Sequence, residues 1–513
     1  MMSPYDLRFD SDAPSIGEGH LKAVKAQGRE GISTLFEYDV ILECAGNSGL
    51  NDSQITELLS HRACLTFWTS SPAPASAAAR HTDSGVSFRV MGIVSEIELL
   101  ASPEPELIQY RIELVPSLWK SSLSHRSVLH TEGKNLWEMV DELLTNTCGM
   151  TNDKDFSITE AGAPSGSTTS RDLWLQYNET DFAFLSRHLE YWGAFYYFRD
   201  VASHTQACFG ADNKCFYKAS SDHLTYDPNA SGLTGTDAIY SLSCTQRSVT
   251  QKVAAGSYDC ASGFALSGSY ADHLPHGSAT VADSPLSTGI HHYGTYAFSE
   301  DSEGKKIAQL RADAIASARL EYVGETNTFW IRPGCRFTLA NHPIPELNQE
   351  FLVTEIDHVL EPGADMRYVK RFRAIRFSQA FRPALQTPRS TVHGFLPAMI
   401  VGEDGIPAPV DENGCYRVQI PSIMKNNGEH GASPSLPVRM MQASSGEEHG
   451  VHLPLHAGAE VLLAFLHGDP DQPVIAGAVP NQATRSPIVD TDKTKGRIRS
   501  RSGIVIEFED HAE

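Results

Sequence analysis

Hydrophobic and polar residues alternate along much of the first 120 positions. Phe36, Tyr38, Val40, Leu42 and Cys44 alternate with Glu37, Asp39, Ile41 and Glu43, a period of two that predicts a strand with one buried face. Ile108, Tyr110, Ile112 and Leu114 alternate with Gln109, Arg111 and Glu113 until Pro116 closes the run. Residues 88–100 read as one long strand or a bent pair, with Gly92 the candidate for a bulge. One apolar and one charged face per strand is the pattern of an antiparallel barrel with a solvated exterior.

The period then changes. Leu136, Val140, Leu143 and Leu144 share a helical stripe, and so do Phe182, Leu185 and Leu189 in a second helix over 181–192. Glu179 and Asp181 place negative charge at the second helix's N-terminus, and Gly193 supplies a left-handed stop. Residues 194–198 follow as a strand, and 163–170 are a loop. Residues 201–300 predict short strands and long loops, with 261–295 the most mobile stretch. Residues 303–320 predict a helix whose stripe of Ile307, Leu310, Ala314 and Ala318 opposes Lys306, Arg311 and Asp313. Arg332-Pro333-Gly334 carries a type II turn signature, and strands are expected at 335–339, 350–360 and 367–377. Phe88-x-Val90-x-x-Ile93 and Phe351-x-Val353-x-x-Ile356 share an apolar spacing, which raises a duplicated β domain without establishing it.

Pro383 and Pro388 mark a stiff linker. Beyond it, short strands at 395–402, 415–421, 436–442 and 450–455, a long polar loop at 426–435 and a hairpin at 459–481 suggest a small closed OB-type barrel. In that hairpin Glu460 to Leu466 is an apolar run. Gly468, Asp469, Pro470 and Asp471 turn it, with Asp capping its own backbone, and a strand restarts after Pro473. In the last stretch, Ile504, Ile506 and Phe508 alternate with Val505, Glu507 and Glu509, preceded by Arg497, Arg499 and Arg501. With no turn back visible, such a strand needs copies of itself to complete a core.

Composition narrows the function. The 513 residues carry 41 basic and 63 acidic side chains, a formal charge of −22, which argues against a nucleic-acid or anionic-membrane surface. Neither a secretory signal nor a membrane-length apolar run is visible. Nine dispersed cysteines, never spaced C-x-x-C, favour a reducing compartment over a disulfide framework.

Candidate chemistry is sparse. His449, His452 and His456 approach a ligand spacing, but Pro454 intervenes and no acid or cysteine completes a set, so ordinary packing or surface histidine is the better reading. His273, His276, His291 and His292 read as solvated. Neither a nucleophile elbow nor a phosphate-cradling glycine loop occurs. No catalytic residue, cofactor or metal is expected. Paired carboxylates for glycoside hydrolysis stay open, since their separation is a property of structure.

Leu173-Trp174-Leu175-Gln176-Tyr177-Asn178-Glu179-Thr180-Asp181-Phe182, continuing to Gly193-Ala194-Phe195-Tyr196-Tyr197-Phe198, resembles the signature of VgrG proteins, the valine–glycine repeat spikes of bacterial type VI secretion systems. Arg332-Pro333-Gly334, Phe337-Thr338-Leu339 and His342-Pro343 resemble that family's second barrel, and the 459–481 hairpin its OB domain. The chain departs from the family at Leu455-His456-Ala457-Gly458, where many members have Pro-Arg-Val-Gly.

The resemblance implies a mainly β (α+β) fold. Its parts are a first hub β-barrel at 1–125, an α/β insertion at 126–240, a second hub barrel with a helix at 241–382, an OB fold at 383–485, and the start of a triple-stranded β-prism at 486–513. It implies a homotrimer seated on a hexameric Hcp-type tube protein and capped by a PAAR-type tip. That trimer would deliver effectors through transient contact with a target membrane, after synthesis in the cytoplasm and export without a signal peptide. Gly468, Asp469, Pro470, Asp471 and Pro473 would form the OB hairpin, and Ile504, Ile506 and Phe508 the prism root. The chain stops where the prism should begin, which fits either a truncated chain or a short form with a separate tip. The alternatives are a contractile phage or tailocin tail hub, which shares the fold, and a cell-wall hydrolase on a β scaffold.

Overall fold

Inward-pointing apolar residues on alternating positions build the first barrel. The structure, a computed structural model, describes residues 5–510 apart from 18, 46–48, 70–85, 102–106, 160–170, 202–203, 231–236, 258–275, 283, 285, 294–297, 299–300, 362–366, 404–405, 422, 426–436 and 447–448. Strands β1 (Tyr5–Ser11), β2 (Leu21–Gly31) and β3 (Thr34–Cys44) precede helix α1 (Asp52–Ser60), and β4 (Arg62–Thr69), β5 (Val86–Leu100) and β6 (Gln109–Val115) follow it. Phe36, Tyr38, Val40 and Leu42 are wholly buried, as the alternation in β3 requires. The spatial order is β1-β4-β5-β6-β3-β2.

Two helices of the predicted insertion come next. Helix α2 (Leu136–Glu142) opens with a capping box between Asn135 and Glu138 and buries Leu136, Trp137, Met139 and Val140. Helix α3 (Asp181–Tyr191) is capped by Thr180, whose hydroxyl accepts from Ala183 N, and Gly193 follows it at φ 63°.

The second barrel repeats the first. Strands β7 (Tyr217–Tyr226) and β8 (Ala238–Gln246), helix α4 (Asp301–Arg319), and strands β9 (Leu320–Thr326), β10 (Cys335–Ala340), β11 (Glu350–Glu361) and β12 (Arg367–Arg376) follow in chain order. Their spatial order is β7-β10-β11-β12-β9-β8, the first barrel's order strand for strand, and a short parallel pairing of β7 with β8 closes the ring. Among the described residues the equivalent ends β1 and β2 carry no such ladder. The second barrel therefore begins at Tyr217 rather than at 241, inside the stretch assigned from sequence to the insertion.

Bulges fix the register of the duplication. In β5 the ladder to β6 slips between Val94 and Glu96, and in β11 the ladder to β12 slips between Val353 and Glu355. Superposing the slips sets Val94-Ser95-Glu96-Ile97-Glu98 over Val353-Thr354-Glu355-Ile356-Asp357. Tyr38, opposite Leu114, then matches Tyr322, opposite Ala374. The sequence echo from Phe88 and Phe351 thus marks a real repeat in a shifted register. Gly92 is not the bulge. A Cβ there would lie 2.2 Å from Val115 O, so glycine is needed for close strand approach.

The two barrels share an edge. The first part of β11 pairs with β10, Phe351 opposite Phe337, and the rest pairs with β2, Glu355 opposite Gly31 through Leu360 opposite Ala26. Arg311, predicted on the polar face of α4, is instead buried with Ile307, Ala308 and Ala312. A three-stranded sheet of Thr250–Gly256, His276–Thr280 and Leu286–Tyr293 packs Val253 against Ala312 and Ala316 of that helix. The last two of these strands fall in the stretch expected to be most mobile, and 258–275 lie outside the described residues.

Contacts divide the chain into two units. The barrels, α1–α4 and the chain through Pro388 form one. His125–Lys134, Arg171–Glu179 and Arg389–Glu513 form the other. In the second unit β13 (Leu396–Ile400), β14 (Tyr416–Gln419), β15 (Pro437–Val438), β16 (Glu460–Phe465) and β17 (Pro473–Ala478) lie in the order β15-β14-β13-β16-β17. Residues after β15 return to β17, with Met441 N donating to Ile475 O and Ile475 N to Arg439 O, both at 2.8 Å, which closes the small barrel. Only His449–Gly450 is a strand in the region expected to hold one at 450–455. The predicted loop at 426–435 lies outside the described residues. The insertion contributes to this unit: Leu129 and Leu175 sit in its core with Tyr416, Val418, Val461, Leu463 and Ile475. Finally, β18 (Lys495–Arg499) and β19 (Val505–Glu509) form an antiparallel hairpin, so the chain end does turn back, at Gly503 with φ 94°.

Candidate functional site

Inward positions on β2 carry small residues and then an acid, and this places a charge cluster where the barrels are fused. Gly28 leaves room for the Tyr38 ring, since a Cβ there would lie 2.1 Å from it. The Tyr38 hydroxyl donates to Glu30 Oε1 at 2.5 Å. The type II turn expected at Arg332–Cys335 forms, with Gly334 at φ 82° and Cys335 N donating to Arg332 O at 3.0 Å. It aims Arg332 at Glu30: Nη2 and Nε both donate to Oε2, at 2.6 and 2.9 Å, while Nη1 donates to Asp200 Oδ2 at 2.6 Å. His358 Nε2 lies 3.2 Å from Glu30 Oε1 and its ring stacks on Phe88. Lys370 Nζ donates to Phe329 O and lies 5.3 Å from the Phe88 ring centre.

Electrostatics explain how so much charge stays buried. Burial would raise the Glu30 carboxyl, but Arg332, His358 and Tyr38 outweigh it and hold it well below the usual carboxylate range. Burial pushes Asp200 up against the pull of Arg332. Burial lowers His358 to about 4 and Lys370 to about 7, against the attraction of Glu30. This is a closed junction between barrels. Nothing in the sequence singled out Glu30; its one signal is the inward phase it shares with Ala26 and Gly28 on β2.

The signature residues are structural. In the second unit Gln176 is wholly buried beside His130 Nε2, at 3.2 Å, and its Nε2 donates to Glu179 O. In the first unit Leu185 and Leu189 of the predicted stripe are buried, together with Phe184, Trp192 and Phe195–Phe198, whereas Phe182, the stripe's first member, is only half-buried. The backbone at Gly193 passes so close to Leu310 and Arg382 that a Cβ would lie 2.9 and 2.8 Å from them. Arg311 Nη2 donates to Glu190 O and Tyr191 O, both at 2.6 Å, and so caps the C-terminal end of α3. Glu190 accepts from Gln386 N at 2.8 Å, Thr387 N at 2.9 Å and Thr387 Oγ1 at 2.7 Å. The predicted linker is thus held at Gln386 and Thr387.

The OB hairpin of the second unit turns through His467 and Gly468, at φ 54° and 73°. Asp469 is buried and its Oδ1 accepts from Asp471 N at 3.1 Å, the expected self-capping turn. Arg389 Nη2 lies 2.8 Å from Asp469 and 3.5 Å from Asp471. Pro470 lies within this turn and Pro473 begins β17. His452 stacks on Tyr416, its Nε2 3.1 Å from the hydroxyl, with Gln442 Nε2 3.0 Å from Nδ1. In the terminal hairpin Ile498, Ile504, Val505, Ile506 and Phe508 are between 47% and 70% exposed, an apolar patch of the kind that marks an interaction surface.

One cavity of the first unit gathers several acids. It is lined by Asp10, Asp12, Arg62, Asp155, His204 and Thr205, but encloses about 140 Å³, below the ~300–1,000 Å³ of ligand clefts. Arg62 Nη2 occupies Asp155 at 3.0 Å.

Comparison with known proteins gives a consistent picture. Residues 29–364 match the phage tail baseplate hub (GPD) family, and residues 410–479 match the type VI secretion system/phage-baseplate injector OB domain. A spike protein of the type VI secretion system from Pseudomonas aeruginosa, VgrG1b, is 26% identical over 96% of this chain and 63% of its own. The actin cross-linking toxin VgrG1 of Vibrio cholerae is 25% identical over 77% of this chain and 35% of its own. This chain thus spans about a third to under two thirds of those relatives. Among solved structures, the Escherichia coli c3393 protein, described as a component of the type VI secretion system, superposes with a TM-score of 0.63 at 20% identity, covering 92% of this chain and 100% of its own. A lidless PdpA–VgrG complex gives a TM-score of 0.63 at 9% identity over 99% and 93%.

Proposed function

The chain belongs to the phage tail baseplate hub (GPD) family, and from that premise we propose that it is the trimeric spike of a type VI secretion system. The observation that carries this reading is the duplicated six-strand order of β1–β6 and β7–β12. Three copies would present six related barrels, a pseudo-sixfold ring suited to a hexameric Hcp-type tube. The exposed side chains of Ile504, Ile506 and Phe508 support it, because three hairpins side by side would bury them as the root of a β-prism below a PAAR-type tip. The spike is made in the cytoplasm and punctures the target membrane to deliver effectors. Its work is mechanical, with no catalytic step assigned to this chain.

Light scattering on the purified chain after size exclusion tests this: a threefold mass is expected, and binding to an Hcp-type ring should follow. A protein that stays monomeric at tens of micromolar, alone and with the ring, overturns it. A tail hub of a contractile phage is the second reading, favoured by the match to a phage tail baseplate hub family and to an OB domain shared with phage baseplates. The genes beside this one separate the two.

A further inference from the structure

We propose that Glu190 is a tension latch for the strap that runs from Phe377 to Pro388. The strap leaves β12 and is fastened at once. Asn213 Nδ2 donates to Phe377 O at 2.9 Å and Gln379 O at 2.7 Å, and Asn213 Oδ1 accepts from Phe381 N at 2.9 Å. The Phe381 ring packs edge-on against Phe195 and Phe216. Arg382 Nη1 donates to Ala211 O at 2.5 Å. Past Arg382 the strap exposes Leu385, and its next fastening is the Glu190 carboxylate.

Three hydrogen bonds converge on that one carboxylate, from two successive backbone amides and a hydroxyl. An ionised acceptor makes each of them stronger than a neutral pair would. Because they share one side chain, they give way together, which is how a latch behaves. Helix stability does not account for a glutamate here. A negative charge in the last turn of α3 opposes the helix dipole, and the carbonyls of that turn are satisfied by Arg311. Glu190 therefore serves the strap.

The position along the chain sets what the latch feels. Pro388, which has no N–H, follows Thr387. Arg389, the next residue, is held within the second unit by Asp469 and Asp471, and Val392 N donates to Gly468 O at 2.8 Å. A pull arriving through residues 389–392 meets Glu190 before any other fastening of the strap. This follows from the geometry alone and holds whether or not the spike reading does.

Amide hydrogen exchange and single-molecule pulling on the full chain test it. In Glu190→Ala, exchange at Gln386 and Thr387 should accelerate at least tenfold while Ile112 and Ile375 in the barrels stay as in the wild type. The first rupture force should fall. Glu190→Gln, which can keep both amide bonds and turn its NH₂ to Thr387 Oγ1, should change both readouts less. Unchanged exchange at 386–387, an unchanged first rupture, or equal acceleration throughout the barrels overturns the latch. If Glu190→Ala does not fold, Thr387→Val removes one of the three bonds, and a strap indistinguishable from wild type in that variant also overturns it.

Discussion

Arg332 and Glu30 belong to different barrels, and the guanidinium places both Nη2 and Nε within 2.9 Å of the same carboxylate oxygen. Both side chains are about 95% shielded or more. A buried pair of this kind is poor evidence of net stabilisation. Glu30 lies on β2, which pairs with β11, and Arg332 lies in the turn before β10, so the pair ties the two barrels at their shared edge.

Removing one partner is a different matter. Glu30→Ala leaves Arg332 with Asp200 alone and strips His358 and Tyr38 of their acceptor. The expected cost is about 3–5 kcal/mol to the barrel unit, read as a fall in its denaturation midpoint. A loss under about 1 kcal/mol would mean that Asp200 alone balances the cluster.

Stability should depend on pH through His358 and Lys370. Both are bases held below their ordinary values, so in each window the unfolded chain binds more protons and stability rises with pH. For His358, facing Glu30, Lys370 and Arg332, the window runs from about 4 to the ordinary 6.5. For Lys370, facing Glu30, Arg332 and Asp237, it runs from about 7 to the ordinary 10.5. The melting temperature of the barrel unit should climb across both, and Lys370→Met should flatten the upper one. A profile falling between pH 7 and 9 contradicts the assignment.

Leu129→Ala and Leu175→Ala should weaken the OB unit, although both residues lie in the stretch that precedes the second barrel. Each empties a buried position among Val418, Val461 and Ile475, at a cost of about 2–5 kcal/mol. Exchange should accelerate in β16 and β17 and not in β3. Acceleration confined to the barrels would remove these leucines from the OB core.

Asp469→Ala should cost the OB unit about 1–3 kcal/mol, because the Asp471 amide and Arg389 lose their acceptor. Asp471→Ala should cost less, since its contact to Arg389 is longer. Equal melting of the two variants would show that the turn does not depend on Asp469.

How much of this was legible in the sequence followed from how local the cause was. β3, α3, the Arg332 turn and the Asp469 turn depend on spacing and turn chemistry, and each lies where its pattern put it. Arg311 was misassigned because a long cation on a helix usually seeks water, whereas here two carbonyls from α3 claim it. The bulge sits at Ser95 rather than Gly92 because a register slip is settled by the facing strand. The return from Arg499 to Val505 uses Ser500, Ser502 and Gly503, too weak a signal beside the alternation on either side. Glu30 was invisible because its partners lie hundreds of residues away, and so were the roles of Leu129 and Leu175, whose neighbours come from the end of the chain.

That last arrangement has a consequence for synthesis. Leu129 leaves the ribosome long before Ile475, and at ~5–20 residues per second the wait is on the order of tens of seconds. During it, the β-rich segment 125–134 has no core to enter. The early barrel can fold as it emerges, but the OB unit must wait until β16 and β17 have been made. Premature termination after Pro388 would thus release a product with an orphaned sticky strand, one that quality control has reason to destroy.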